Sequence, residues 1–148
     1  MEQTSADAFA LFQRCIAGGV VEYWERRLRI KARQCVYSSG VVIWLMILQH
    51  LQPRGTLVTG VEALLTGAAD GLMSRCGLMR RKRSSGRTGG YSLARQRLPK
   101  RLCLQVMKEL VLRLREILLP GGGPLSYLVD GTSLELEASP SLRKAYPP

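Results

Sequence analysis

The sequence predicts a mainly α protein with a short strand-patterned end. Three observations carry that expectation. Apolar residues recur at intervals of three and four along most of residues 1–119. The stretch Val41 to Leu51 is apolar nearly all round, which suits a central helix. Alternation of apolar and polar residues is confined to the segment after Pro120-Gly121-Gly122-Gly123-Pro124, a run that cannot continue a helix. The domain boundaries that follow are 1–119 for a helical unit, 120–124 for a linker and 125–148 for the remainder. Those last 24 residues are too few to enclose a core of their own. The hydrophobic content of 46% excludes a wholly disordered basic tail.

Each element has its own local reason. Thr4 and Ser5 can cap a first helix through Phe12 and Ile16, with Gly18-Gly19 as its stop. Val20 to about Arg33 follows, with Val21, Trp24 and Leu28 on one face and Arg26, Arg27, Arg29 and Lys31 on the other. Ser38-Ser39 offers a cap for the helix Val41 to Leu51, and Pro53-Arg54-Gly55 turns the chain. Leu57 to Leu65 is a further helix, stopped near Gly67, and Ala68 to Cys76 a shorter one. Arg80 to Gly90 reads as a loop, being rich in Gly, Ser and Arg. Tyr91 to Leu98 fits one or two helical turns. Pro99 then opens a long helix to about Leu119, whose stripe is Leu102, Val106, Leu110, Leu114 and Ile117. Beyond the linker, Leu125 to Val129 and Ser133 to Glu137 have the pattern of two short strands.

Charge is the strongest functional signal. The chain carries 22 Lys+Arg against 11 Asp+Glu, a formal net charge of +11. No acidic residue stands between Asp70 and Glu109. That interval holds Arg75, Arg80, Arg81, Lys82, Arg83, Arg87, Arg95, Arg97, Lys100, Arg101 and Lys108, which equals the whole excess. A cationic block of this kind repels itself unless a polyanion neutralises it. Guanidinium groups make nucleic-acid phosphates the first candidate partner and an anionic membrane surface the second.

Other signals are weaker. Cys15, Cys35, Cys76 and Cys103 are too far apart for a CxxC zinc motif, and read as reduced cysteines buried as small apolar residues. His50, the single histidine, has no neighbouring base or ligand cluster and reads as a packing or surface residue. Trp24 and Trp44 read as core residues, while Tyr91 suits either base stacking or packing. The longest apolar run, Val41 to Leu48, is short of the roughly 17–25 residues a membrane span needs. The polar start Met1-Glu2-Gln3-Thr4 lacks the pattern of a signal peptide, so a cytoplasmic location is expected. On spacing alone, Asp130-Gly131 between two short strands reads as a hairpin turn.

Two segments carry a family resemblance. They are GGYSLARQRLP, Gly89 to Pro99, before a long amphipathic helix, and YLVDGTSLEL, Tyr127 to Leu136, with PSLRKAYPP after it. In that order they resemble the N-terminal part of a bacterial insertion-sequence transposase of the insertion-sequence-four group, in the DDE class. Val41 to Leu57, VVIWLMILQHLQPRGTL, is also similar to the apolar helix of that family's N-terminal domain. The resemblance implies a helical domain that binds the element's terminal DNA, followed by the first strands of a ribonuclease-H-like α/β domain. It implies that Asp130 occupies the place of the first catalytic, metal-binding aspartate. The family's chemistry uses two divalent cations, Mg²⁺ by implication, held by two aspartates and a glutamate.

Here the sequence stops 18 residues after Asp130, and Glu135 and Glu137 do not stand in for the missing carboxylates. They lie odd numbers of residues from Asp130, so on a regular strand they face away from it. The expectation is therefore a fragment that binds DNA without cutting it and holds no Mg²⁺ tightly. Its DNA contacts are Arg80, Arg81, Lys82, Arg83, Arg87, Arg95, Arg97, Lys100 and Arg101. The expected partners are double-stranded DNA at element ends and a full-length relative, with neither a membrane nor a small-molecule substrate. The alternatives are a basic helical adaptor on an anionic membrane and a remnant without function.

Overall fold

The computed structural model describes residues 2–17, 19–31, 36–81 and 85–121, and these are mainly helical. The order is α1 (Glu2–Cys15), α2 (Val20–Arg27), α3 (Ser39–His50), α4 (Leu57–Leu65), a 3-10 turn (Asp70–Leu72), α5 (Arg75–Arg81), α6 (Gly89–Arg97) and α7 (Lys100–Leu118). No strand occurs among the described residues. The strands expected at Leu125 to Val129 and Ser133 to Glu137 lie outside them, as do Asp130 and the rest of the expected ribonuclease-H-like start.

α3 is the centre of the fold because almost every face of it is apolar. Val41, Val42, Ile43, Trp44, Leu45 and Leu48 are all buried. α1, α4 and α6 pack around it, and α7 closes the other side against α1 and α2. Trp44 lies against Phe9 and Phe12 of α1, with ring centroids 4.9 and 5.2 Å away. Its indole N–H would be costly to bury unpaired, and it donates to the Ala68 carbonyl at 2.7 Å. The stripe expected on α7 faces inward: Leu102, Val106 and Leu110 are buried, and Leu114 and Ile117 pack against the same core. Trp24 is partly buried and also packs there, so both tryptophans serve the interior.

α4 begins and ends where the sequence places it. Thr56 and Thr59 form a reciprocal capping box, and Gly67 closes the helix at φ 96°. There the Gly67 and Ala68 amides donate back to Leu64 and Ala63, a Schellman ending.

Other boundaries differ from the sequence expectation, each for a local reason. α1 starts at Glu2, so Thr4 and Ser5 lie inside its first turn, past the helix start. α2 ends at Arg27, six residues before the expected Arg33. It closes with another Schellman pair, Arg29 donating to the Arg26 carbonyl and Ile30 to that of Glu25. Arg29 takes the left-handed conformation at φ 55° that glycine normally fills, so no glycine marks this stop in the sequence. α3 starts at Ser39, two residues before Val41. Neither serine caps it through its side chain; the Ser39 hydroxyl donates to Glu25 Oε1 at 2.6 Å.

In place of one helix over Ala68 to Cys76 there is a 3-10 turn and then α5. Ser74 resets the chain: its side chain accepts from the Gly77 amide and starts α5. Arg80 and Arg81 therefore end a helix and do not open a loop. At the far side of that loop, Gly89 and Gly90 belong to α6. Cys15 is buried and Cys103 partly so, but Cys76 is exposed, against the expectation of buried cysteines. In the short α5 it is Gly77 that faces inward. His50 is at the surface, its Nδ1 2.7 Å from the Met46 carbonyl of the preceding turn.

Candidate nucleic-acid interface

The acid-free stretch of sequence occupies α5, α6 and the first half of α7. Its cations take three different situations. Arg81 is engaged inside the fold: Nη2 pairs with Asp70 Oδ2 at 2.8 Å, and Nη1 donates to the Leu65 carbonyl at 2.6 Å. It thereby ties α5 to the end of α4 and the 3-10 turn. Arg95 is half-buried, with its guanidinium carbon 5.7 Å from the Tyr91 ring centroid one turn earlier. Arg80, Arg87, Arg97, Lys100 and Arg101 are exposed. Lys82 and Arg83 fall outside the described residues.

The Arg81–Asp70 contact is the one ion pair among the described residues. Arg87, Arg97, Lys100, Arg101 and Lys108 thus present charge without an acidic partner among them. Three of these, Arg97, Lys100 and Arg101, stand within five residues at the corner where α6 turns into α7. Leu98 and Pro99 are both extended and make that corner. Pro99 supplies no side-chain cap, and no acidic residue occupies the first turn of α7. The positive end of the α7 dipole therefore coincides with two side-chain cations. That is unfavourable for the helix alone and favourable for a bound anion.

Along α7, Arg101, Lys108 and Arg115 recur every seven residues and form one exposed row. Beside it stand Leu104, Met107, Val111 and Leu118, all large and exposed. Sequence periodicity missed these exposed apolar residues, because the inward stripe Leu102 to Ile117 already accounts for an amphipathic helix.

Tyr91 packs and does not present its ring for stacking. It is fully buried, and its hydroxyl donates to Gln49 Oε1 at 2.7 Å. Burial pushes its phenol up to about 12; the Arg95 guanidinium opposes the rise and Tyr37 adds to it. Gln49 in turn donates from Nε2 to the Thr56 carbonyl, so α3, α4 and α6 are joined beneath the basic surface.

Asp130, the expected catalytic and metal-binding residue, lies outside the described residues. Among those described, no group of three His, Cys, Asp or Glu side chains is placed to hold a metal ion. No described helix is long and apolar enough to cross a membrane. Searches of protein-family models, curated proteins and solved structures return no match for this chain.

Proposed function

We propose that this helical unit binds duplex DNA as the N-terminal domain of a transposase of the insertion-sequence-four type, acting at the ends of its element. One observation carries the reading: Arg87, Arg97, Lys100, Arg101 and Lys108 are exposed without an ion-pair partner among the described residues. Unpaired surface cations gathered on consecutive elements are the footprint expected of phosphate contacts. The resemblance of Gly89 to Pro99 and of Tyr127 to Leu136 to that family supplies the biological setting. The contacts position the protein on the duplex, and one or two arginines at the α6–α7 corner read base edges. Mg²⁺ belongs to the strand-cutting chemistry of the family and has no part in this binding.

Duplex binding measured against salt tests the reading. With about five phosphates neutralised, log affinity falls against log salt with a slope near −4.5. Replacing Arg95, Arg97 and Arg101 together by alanine weakens binding and flattens that slope. Unchanged affinity in the triple variant removes the assignment.

A second reading has its own observation. The exposed row Leu104, Met107, Val111 and Leu118 beside Arg101, Lys108 and Arg115 suits an interfacial helix on anionic lipid. Co-sedimentation with phosphatidylserine vesicles, in the absence of any duplex binding, would favour it over DNA.

A further inference from the structure

A cavity lies between α3 and α6. It measures about 330 Å³, near the lower end of the roughly 300–1,000 Å³ of small-molecule sites. Its walls are largely apolar and include Ile30, Val42 and Leu98. The Tyr37 ring also lines it, half-buried and stacked on Tyr91 at a centroid distance of 5.8 Å and an interplanar angle of 23°. Among the described residues its charged lining is Lys31 and Arg97, both cations and both exposed. They come from the connection after α2 and from the last turn of α6, so only the fold brings them to one opening.

Among the described residues, no carboxylate lines this cavity. The larger groove of about 500 Å³ beside α1 and α2 differs in that respect, for Glu22 and Glu25 line it and would repel a polyanion. A largely apolar cavity with an aromatic wall and two exposed cations in its lining suits a planar ring that carries an adjacent phosphate. Neutral apolar ligands would leave both cations unused.

We propose that the cavity receives one unpaired nucleotide, its base against Tyr37 and the apolar wall and its phosphate between Lys31 and Arg97. This rests on reading the surrounding surface as a nucleic-acid interface, because Arg97 belongs to both. The nucleotide comes from a strand end of bound DNA, where a base is free of its partner. Free mononucleotide is the other source of the same chemistry.

The test compares a blunt duplex with the same duplex carrying a short single-stranded overhang, using the whole chain and fluorescence anisotropy. The overhang duplex is expected to bind about five- to tenfold more tightly, the scale of one base–aromatic stack. A 2-aminopurine in the overhang is expected to be quenched on binding.

Ala94 lines the cavity from α6 and is half-buried. Ala94→Leu fills the cavity, keeps helix propensity and is expected to abolish the preference while leaving blunt-duplex affinity unchanged. Lys31→Ala, at an exposed position, is expected to reduce the preference without touching the core. Equal affinity for the two duplexes, with unquenched 2-aminopurine, overturns the proposal and leaves the DNA-binding reading standing. Failure of both duplexes to bind removes that reading instead. Deoxyadenosine monophosphate titrated alone then decides the cavity: saturable binding lost in Ala94→Leu supports it as a free-nucleotide site, and no binding overturns it.

Discussion

Reversing both charges at the start of α7, Lys100→Glu with Arg101→Glu, should move stability and binding in opposite directions. Both residues are exposed in the first turn of a helix with no acidic residue there and no side-chain cap. A charge at that position is worth roughly 0.3–1 kcal/mol against the helix dipole, and reversal changes its sign. With two residues reversed, the pair should therefore stabilise the fold by about 1–4 kcal/mol at low salt. For a unit of this size each kcal/mol raises the melting midpoint by about 4 °C, so the pair should raise it by about 4–16 °C. Screening should shrink the gain as salt is added.

Binding should change the other way. Two lost phosphate contacts flatten the salt dependence by about 1.8, from near −4.5 to near −2.7. Affinity for duplex DNA should fall about tenfold or more at moderate salt, since the anions also repel the backbone. Thermal melting followed by circular dichroism, with anisotropy over a salt series, measures both effects. A lower melting midpoint together with unchanged affinity would show that these cations serve the fold, and the reasoning about the α6–α7 corner would fail.

The remaining predictions separate structural residues from surface ones. Arg81→Ala should destabilise by about 1–3 kcal/mol, because Asp70 and the Leu65 carbonyl lose their partner; denaturant titration measures it, and the DNA salt slope should stay put. Arg29→Gly should stabilise by about 1 kcal/mol, since the residue sits at φ 55° where a side chain is strained; a lowered denaturation midpoint would contradict this. Gly60→Ala should destabilise by about 1–2 kcal/mol in spite of alanine's better helix propensity, because the new Cβ would lie 2.8 Å from Tyr91 Cε1. Stability should also fall between pH 10 and about 12. There the unfolded Tyr91 phenol has lost its proton and the buried one keeps it, so the unfolded state binds fewer protons and rising pH favours it. Tyr91→Phe should weaken that dependence in melts run across the interval.

What the sequence determined by itself is the class of the fold and its centre. Helical periodicity places α3, α4 and α7 nearly to the residue, because burial of Val41 to Leu48 and of Leu102 to Leu110 is written in spacing. Capping and glycine chemistry mark both ends of α4 for the same local reason. The charge asymmetry is also a property of the chain alone.

Tertiary structure decided how the cations divide. Arg80 and Arg81 are adjacent and alike in sequence, yet Arg81 is folded onto Asp70, eleven residues earlier, and Arg80 is exposed at the helix end. The end of α2 was hidden because an arginine, not a glycine, takes the left-handed turn. Lys31, Tyr37 and Arg97 are unremarkable apart and share one cavity only when α6 packs on α3. Spacing encodes what lies within a few residues along one element. Which distant side chains meet depends on how the buried faces of those elements are satisfied together.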